Sequence, residues 1–303
     1  MLFNNLVIFT IYNYLDINNL VTCSLINKQF NKIFDNDLLW KKLLTDKYGN
    51  SYIDVNYIMV KYNVSKLKHI YKIIKDLLYF DTKFNVLKFH IKCDLNKKIK
   101  ALINLEYLTL VDGYLQEIPY TGVTALPLGK EIQYLTNLRE LYLSTNMLNK
   151  IPKEIGCLTN LQILHLSNNQ LQEIPEGIKY LINLKDLYLS HNKIQEISPD
   201  VKYLTNLQNL YLSHNKIQEI PTEIQYLTNL QNLSLSYNKI QKIPTEIQYL
   251  TNLQNLFLSY NRIQEIPTEI QYLTNLKHLY LSHNKFTKKH IKCESLINCV
   301  IIT

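Results

Sequence analysis

Leucine and isoleucine recur along most of the chain at a fixed interval of 23 residues. One unit reads LxxLxLxxNxLxxIPxxIxxLxx, and its LxL segment alternates with the two-residue period of a short β-strand that buries one face. A strand this short cannot bury that face alone, so the pattern predicts stacked units that share one core. The first Leu of the unit recurs in register at Leu138, Leu161, Leu184, Leu207, Leu230, Leu253 and Leu276.

This unit resembles the leucine-rich repeat over roughly residues 84–303. The resemblance implies an α/β fold, a leucine-rich-repeat solenoid with short parallel strands on its concave face. The Asn that follows the strand is expected to turn the chain and to hydrogen-bond the backbone of neighbouring turns. At roughly 1.5–3 kcal/mol per buried side chain, the apolar positions offset the entropy lost in ordering a unit. In one unit we expect burial of Leu138, Leu141, Leu143, Leu148, Ile151, Ile155 and Leu158.

The array is irregular at both ends. Regular repeats begin at Leu105, and comparison of neighbouring units indicates an insert at residues 120–129, predicted to be an exposed loop on the convex side. The segment FNVLKFHI at 84–91 is expected to cap one end, and residues 285–303 the other. In that last unit, Cys299 and Ile302 stand 23 residues after Leu276 and Leu279, and Cys293 and Cys299 are expected to fill apolar positions.

The outward positions of the strands vary while the apolar positions repeat. Aromatic residues and His with few charges are typical of surfaces that bind proteins, so we expect a target protein to bind on the concave face. Copying by duplication and an AT-rich codon bias would also account for the Tyr and His residues. The candidate binding residues are Tyr142, His165, Asp186, Tyr188, Tyr211, Phe257 and Tyr280, with His191 and His214 one position beyond the strands.

No motif for chemistry stands out in the sequence. Two His residues, His191 and His214, would be neighbours, but without a carboxylate or thiolate partner they make a poor metal site. We find no Gly-rich phosphate loop, no paired carboxylates and no nucleophile with an evident base. We therefore expect no enzymatic activity, no cofactor and no bound metal.

The first fifty residues do not follow the repeat. They contain three apolar segments with helical spacing, in which YLD is followed by NLVTCSLINKQF and then by DNDLLWKKL with the single Trp40. In this order the segments resemble an F-box, although Phe3-Asn4 stands where the family usually has Leu-Pro. The resemblance implies a small helical domain at residues 1–50 that binds a Skp-type adaptor and through it a cullin. The adaptor-binding residues that it implies are Phe3, Leu15, Leu20, Leu25, Lys28 and Phe30.

The connector at residues 51–83 contains the segment 65–80, which is predicted to form an amphipathic helix with lysines on its polar side. The net charge of +8 lies entirely in residues 61–100, which hold eleven Lys and three Asp. We interpret these lysines as a solvated face, and expect neither nucleic acid nor a membrane as a partner. Five scattered Cys without a CxxC pair indicate reduced thiols, and we expect no secretory signal and a cytoplasmic or nuclear location.

The sequence thus predicts a non-enzymatic subunit that recruits a target protein to a cullin/Skp-type ubiquitin ligase. The alternative is a leucine-rich-repeat scaffold or regulator that binds a partner protein without any link to ubiquitin. The codon signature and this architecture resemble proteins of large DNA viruses or AT-rich protists. A viral origin would imply a location in the cytoplasm of the host cell.

Overall fold

A computed structural model describes residues 61, 73, 104–109, 128–286 and 299–302. Within these residues, short strands form one sheet in which every neighbouring pair is parallel and the strand order follows the chain. The strands are β1 (Tyr107–Thr109), β2 (Glu140–Tyr142), β3 (Ile163–His165), β4 (Asp186–Tyr188), β5 (Asn209–Tyr211), β6 (Asn232–Ser234), β7 (Asn255–Phe257), β8 (His278–Tyr280) and β9 (Val300–Ile302).

A five-residue 3-10 helix follows each strand from β2 to β7 on the return path, and another precedes β2. Most of them start directly after a Pro. The fixed φ of Pro suits the extended residue before a helix, and its missing N–H is not needed for a hydrogen bond of the helix. At the helix Pro199–Tyr203 the proline comes one residue later, and Ser198 Oγ accepts a hydrogen bond from the Asp200 amide instead. The helices are η1 (Lys130–Tyr134), η2 (Lys153–Cys157), η3 (Glu176–Tyr180), η4 (Pro199–Tyr203), η5 (Thr222–Tyr226), η6 (Thr245–Tyr249) and η7 (Thr268–Tyr272).

The core is a stack of Leu and Ile side chains between the strands and the 3-10 helices. The middle residue of each strand from β2 to β8 is a fully buried Leu, and the residues on either side are half-buried on the concave face. The predicted core of the unit that starts at Leu138 is confirmed, since all seven side chains are at most 3% exposed. The alternation along the strand predicts that Ser144 points outward with Glu140 and Tyr142, but Ser144 is only 8% exposed and therefore buried, as is Ser167 in the next unit.

From Asn169 onward, the Asn that follows each strand joins its unit to the one before it. Asn215 Nδ2 donates to the carbonyls of Leu212 and Leu189, and Asn215 Oδ1 accepts from the Ile194 amide, all at 3.0 Å. The same three bonds recur at Asn169, Asn192, Asn238, Asn261 and Asn284. This confirms the predicted role of the Asn, which satisfies backbone groups that the turn leaves buried.

The predicted register of the last unit is wrong by one residue. Leu279 pairs with Ile301, so Ile302 lies beside Tyr280 on the outward side and is 41% exposed. The interval at this pair is one residue shorter than the repeat, and a shift of one residue moves a strand side chain to the opposite face. Cys299 accordingly does not fill a core position but is half-exposed.

Several predicted segments lie outside the described residues: 1–50, 84–91, most of the connector and of the 120–129 insert, and Cys293. At the end of the insert, Leu128 is 5% exposed, so this part of the expected exposed loop is buried. In the connector, Lys61 and Ile73 are both helical. In the described part of the chain, no helix has the length and apolar character needed to cross a membrane.

Candidate protein-binding face

The outward residues of the strands form two columns on the concave face. The parallel register aligns each outward residue with its counterpart 23 residues later, from β2 to β8. The first column, here called the polar column, consists of Glu140, Ile163, Asp186, Asn209, Asn232, Asn255 and His278. The second, the ring column, consists of Tyr142, His165, Tyr188, Tyr211, Ser234, Phe257 and Tyr280.

Five side chains of the polar column, from Asp186 to His278, are joined by a chain of hydrogen bonds that all run in one direction. Asn255 Nδ2 donates to Asn232 Oδ1 at 2.6 Å, and Asn232 in turn donates to Asn209 Oδ1. The chain ends at Asp186, whose carboxylate accepts from Asn209 Nδ2. At the other end, His278 Nδ1 lies 2.7 Å from Asn255 Oδ1. The Nδ2 group of Asn255 already donates to Asn232. Since Asn255 Oδ1 can only accept, His278 Nδ1 carries the hydrogen.

The ring column consists of two groups of aromatic contacts separated by Ser234. In the first group, His165 meets Tyr188 edge to face at 4.7 Å, and Tyr188 stacks on Tyr211 with centroids 4.9 Å apart. In the second, Phe257 stacks on Tyr280 at 4.7 Å. Such pairs contribute about 0.5–1.5 kcal/mol beyond the area they bury, so the rings are held in place before any partner binds.

Burial and the charge of Asp186 both act on the tyrosines in this part of the face. Burial, together with the negative charge of Asp186, raises the pKa of Tyr188 and of Tyr211. Both phenols therefore stay protonated at neutral pH and can donate a hydrogen bond. Burial lowers the pKa of His165, which favours its neutral form.

A third column follows the strands, in residues whose backbone is left-handed. All seven residues of this loop column have φ between 54° and 57°, although none is glycine. A left-handed backbone raises the free energy of an ordinary residue by roughly 1–2 kcal/mol. A stacked pair of rings contributes a stabilisation of similar size, which offsets this cost. The residues of the loop column are Thr145, Asn168, His191, His214, Tyr237, Tyr260 and His283.

Five rings of the loop column form an uninterrupted stack. The centroids of successive rings are 4.1 Å apart from His191 through His214, Tyr237 and Tyr260 to His283, and the interplanar angles are 10° to 18°. A hydrogen bond with Tyr260 raises the pKa of Tyr237. Desolvation, and then the charge of His191, lowers the pKa of His214.

The stacking also decides how His191 and His214 can act chemically. Their rings lie face to face with an interplanar angle of 12°, so the nitrogen lone pairs, which lie in the ring planes, do not converge on one point. Among the described residues there is no cluster of three or more His, Cys, Asp or Glu side chains that could hold a metal ion. The stacked rings expose their edges along the loop column, where they can contact another molecule.

All nine candidate residues of the concave face lie in these columns, and their role in binding stays a prediction. The six adaptor-binding candidates, from Phe3 to Phe30, lie outside the described residues. The candidate set omitted Tyr237, Tyr260 and His283, although they follow the same 23-residue period as His191. It also omitted Asn209, Asn232, Asn255 and His278, whose alternation with Leu was visible but whose side-chain hydrogen bonds were not.

Family models match most of the chain. An F-box domain model matches residues 3–42. Leucine-rich-repeat models match 136–180, then overlapping stretches from 159–217 to 228–286, and finally 275–299. The repeat matches together span more than half of the 303 residues. No curated protein is a significant match for the chain.

Solved structures with a similar fold are also leucine-rich-repeat proteins. Internalin C2 of Listeria monocytogenes is 26% identical over 75% of this chain and 91% of its own, with a TM-score of 0.56. The ectodomain of the Arabidopsis thaliana receptor kinase GASSHO1/SCHENGEN3, solved in complex with Casparian strip integrity factor 2, is 34% identical with a TM-score of 0.51. The match covers 55% of this chain and 21% of that one.

A second Listeria monocytogenes internalin, internalin F, is 29% identical with a TM-score of 0.50, and the match covers 57% of this chain and 49% of that one. The chain thus spans half or less of internalin F and of the receptor ectodomain. Both matched families, the F-box and the leucine-rich repeat, are typically modules of protein interaction. The chain belongs to the leucine-rich-repeat proteins and carries an F-box domain ahead of its repeats.

Proposed function

We propose that the chain recruits a target protein to a cullin/Skp-type ubiquitin ligase. In this proposal the F-box domain binds the Skp-type adaptor and the concave face of the repeats binds the target. The observation that carries the proposal is the F-box match at residues 3–42 in the same chain as an array with a preformed aromatic face.

The chemistry of the concave face supports a protein as its ligand. Its three columns contain twelve aromatic or His side chains and only two carboxylates, Glu140 and Asp186. Rigid aromatic rings supply contact area at a low cost in side-chain entropy and are enriched at the centres of interfaces. The receptor ectodomain with a TM-score of 0.51 was solved in complex with Casparian strip integrity factor 2, which supports the proposal that this array also binds a partner.

The contribution of such a subunit to ubiquitin transfer is proximity. A target held on the concave face while the F-box domain is docked on the ligase would present its lysines at high local concentration to the charged conjugating enzyme. No group of this chain has to act as an acid, a base or a nucleophile. We propose a cytoplasmic or nuclear location, because a cullin ligase and its adaptor would have to be reached there.

The test is a direct binding measurement between the purified full chain and a purified Skp-type adaptor. We expect a dissociation constant in the micromolar range or tighter. The double variant Leu15→Ala, Leu20→Ala removes two apolar side chains that the F-box resemblance assigns to the adaptor interface. At more than about 1 kcal/mol for each such contact, affinity should fall by roughly 30-fold or more.

The matched control is the double variant Tyr188→Ala, Tyr211→Ala, which alters the repeats and should leave adaptor affinity unchanged. Circular dichroism of each variant checks that the fold is retained. If the unmodified chain does not bind the adaptor at micromolar concentrations, the ligase proposal is wrong. The alternative, a repeat scaffold without a link to ubiquitin, would then account for the chain.

A further inference from the structure

The ring column has a gap one residue wide at Ser234. In the sheet, Ser234 lies between Tyr211 on one side and Phe257 on the other. Each of these rings is already stacked on the neighbour that lies away from the gap, Tyr211 on Tyr188 and Phe257 on Tyr280. The faces that point toward Ser234 are therefore free of an aromatic neighbour within the ring column.

The width of the gap corresponds to one planar group. Neighbouring strands lie about 4.8 Å apart, so the rings of Tyr211 and Phe257 are separated by two such steps, or about 9.6 Å. A planar group halfway between them would lie about 4.8 Å from each. That spacing matches the 4.9 Å and 4.7 Å observed for the ring pairs on either side.

The base of the gap is polar. Ser234 Oγ lies 2.6 Å from Ser213 Oγ, so the two hydroxyls share one hydrogen bond and keep lone pairs that can accept others. The neighbouring residue of the polar column is Asn232, which lies within the hydrogen-bond chain that ends at Asp186. An occupant with hydrogen-bond donors along its edge would satisfy this base better than a hydrocarbon ring.

The charge of the face favours a cation. The polar, ring and loop columns contain Glu140 and Asp186 but no Lys or Arg. The negative charge of Asp186 acts on Tyr211, one wall of the gap, and is the second cause, after burial, of the raised pKa of that phenol. Flat aromatic walls, acceptors at the base and a negative field are together complementary to a guanidinium group, which is planar, stacks on rings and donates from its edge.

We infer that the gap at Ser234 is a specificity pocket for an arginine side chain of the bound protein. The guanidinium lies between Tyr211 and Phe257 and donates to the Ser234 and Ser213 hydroxyls. A lysine ammonium is compact and cannot fill the space between two ring faces. This inference rests on the proposal that the concave face binds a protein, but it does not depend on the F-box domain or on the adaptor.

The test uses N-acetyl-arginine methylamide as the probe and the full chain as the protein. Saturation-transfer NMR should show contact between the protein rings and the arginine side chain, with a dissociation constant on the order of 1–10 mM for a single contact of this kind. The matching lysine and tyrosine methylamides should bind at least about threefold more weakly. Ser234→Tyr fills the gap with a ring and should weaken arginine binding by about tenfold or more.

Two further variants serve as controls. Thr145→Tyr adds a tyrosine in the loop column, four units from the gap, and should leave arginine binding unchanged. Ser234→Ala keeps the space and removes one hydroxyl, so binding should weaken by no more than about fivefold. The inference is overturned if Ser234→Tyr binds the probe as the unmodified chain does, if the tyrosine probe binds more tightly than the arginine probe, or if no transfer is seen at about 20 mM. Failure to bind arginine would not affect the result of the adaptor measurement, and failure to bind the adaptor would not affect the result for arginine.

Discussion

The rings of His191 and His214 lie face to face with centroids 4.1 Å apart, on residues that both have a φ of 56°. Desolvation and the neighbouring His191 lower the pKa of His214, and burial lowers that of His165. A lowered pKa in the folded state means that the unfolded chain takes up its proton first as the pH falls below about 6.5. The stability that neutral His214 and His165 provide is therefore present above that pH and is lost below it.

We predict that the melting temperature is lower at pH 5.5 than at pH 7.5, in a range where carboxylates change little. The double variant His165→Tyr, His214→Tyr should reduce this difference, because tyrosine occupies the same columns in neighbouring units and does not titrate there. Thermal denaturation followed by circular dichroism at both pH values measures the effect. An unchanged difference in the double variant would show that the pH dependence has another source.

Replacement of Asn215 by Ala should strongly destabilise the array. The change leaves the buried carbonyls of Leu189 and Leu212 and the amide of Ile194 without their side-chain partner. At about 1 kcal/mol or more for each unsatisfied buried group, we expect the free energy of unfolding to fall by roughly 3 kcal/mol. Urea denaturation measures it.

Asn229→Ala is the matched control for that variant. Asn229 is exposed and donates a single hydrogen bond, at 2.8 Å, to the Thr205 carbonyl. Its removal should cost less than about 1 kcal/mol. Equal effects of the two substitutions would contradict the view that the buried Asn, and not any Asn at the surface, joins the units.

Filling the gap in the ring column should stabilise the folded chain. Ser234→Tyr would place a ring between Tyr211 and Phe257 and create two new stacked contacts, each worth about 0.5–1.5 kcal/mol. After the loss of the Ser213 hydrogen bond, we expect a net gain of about 1 kcal/mol in the free energy of unfolding. A destabilised variant would mean that the two rings cannot accept a third between them.

Removal of the charge at Asp186 should change the ionisation of its tyrosine neighbours. In Asp186→Asn the pKa of Tyr188 and of Tyr211 should fall toward the ordinary value, because the negative charge that helps to raise it is gone. Burial, the larger cause of the raised pKa, remains, so the fall should be partial. Ultraviolet absorbance of tyrosinate during an alkaline titration follows this change. Asp200→Asn, which removes the carboxylate paired with Lys179, should leave the titration of these tyrosines unaltered.

The sequence was sufficient to predict the fold of the regular units. The apolar positions of the repeat are those that pack in the core, and the seven apolar residues predicted for the unit between Leu138 and Leu158 are all buried. It was insufficient at the C-terminal end, where Leu279 pairs with Ile301, because outside a strict period no residue marks the pairing partner. The period also places the residues of the stack that begins at His191 in one column, but it does not indicate the left-handed φ at these residues, which is rare outside Gly and Asn, or the face-to-face contact of their rings.

The one-way chain of hydrogen bonds in the polar column has a consequence for recognition. The strands are near copies of one another and all parallel, so the array could offer a partner similar contacts at several registers along its length. Every side-chain amide from Asn255 to Asn209 donates toward Asp186. The carboxylate of Asp186 lies at one end of the chain, and the N–H of the His278 ring lies at the other. The two ends of the polar column therefore differ. A ligand bound in the reverse orientation would align its own dipoles unfavourably with the amide dipoles of this column.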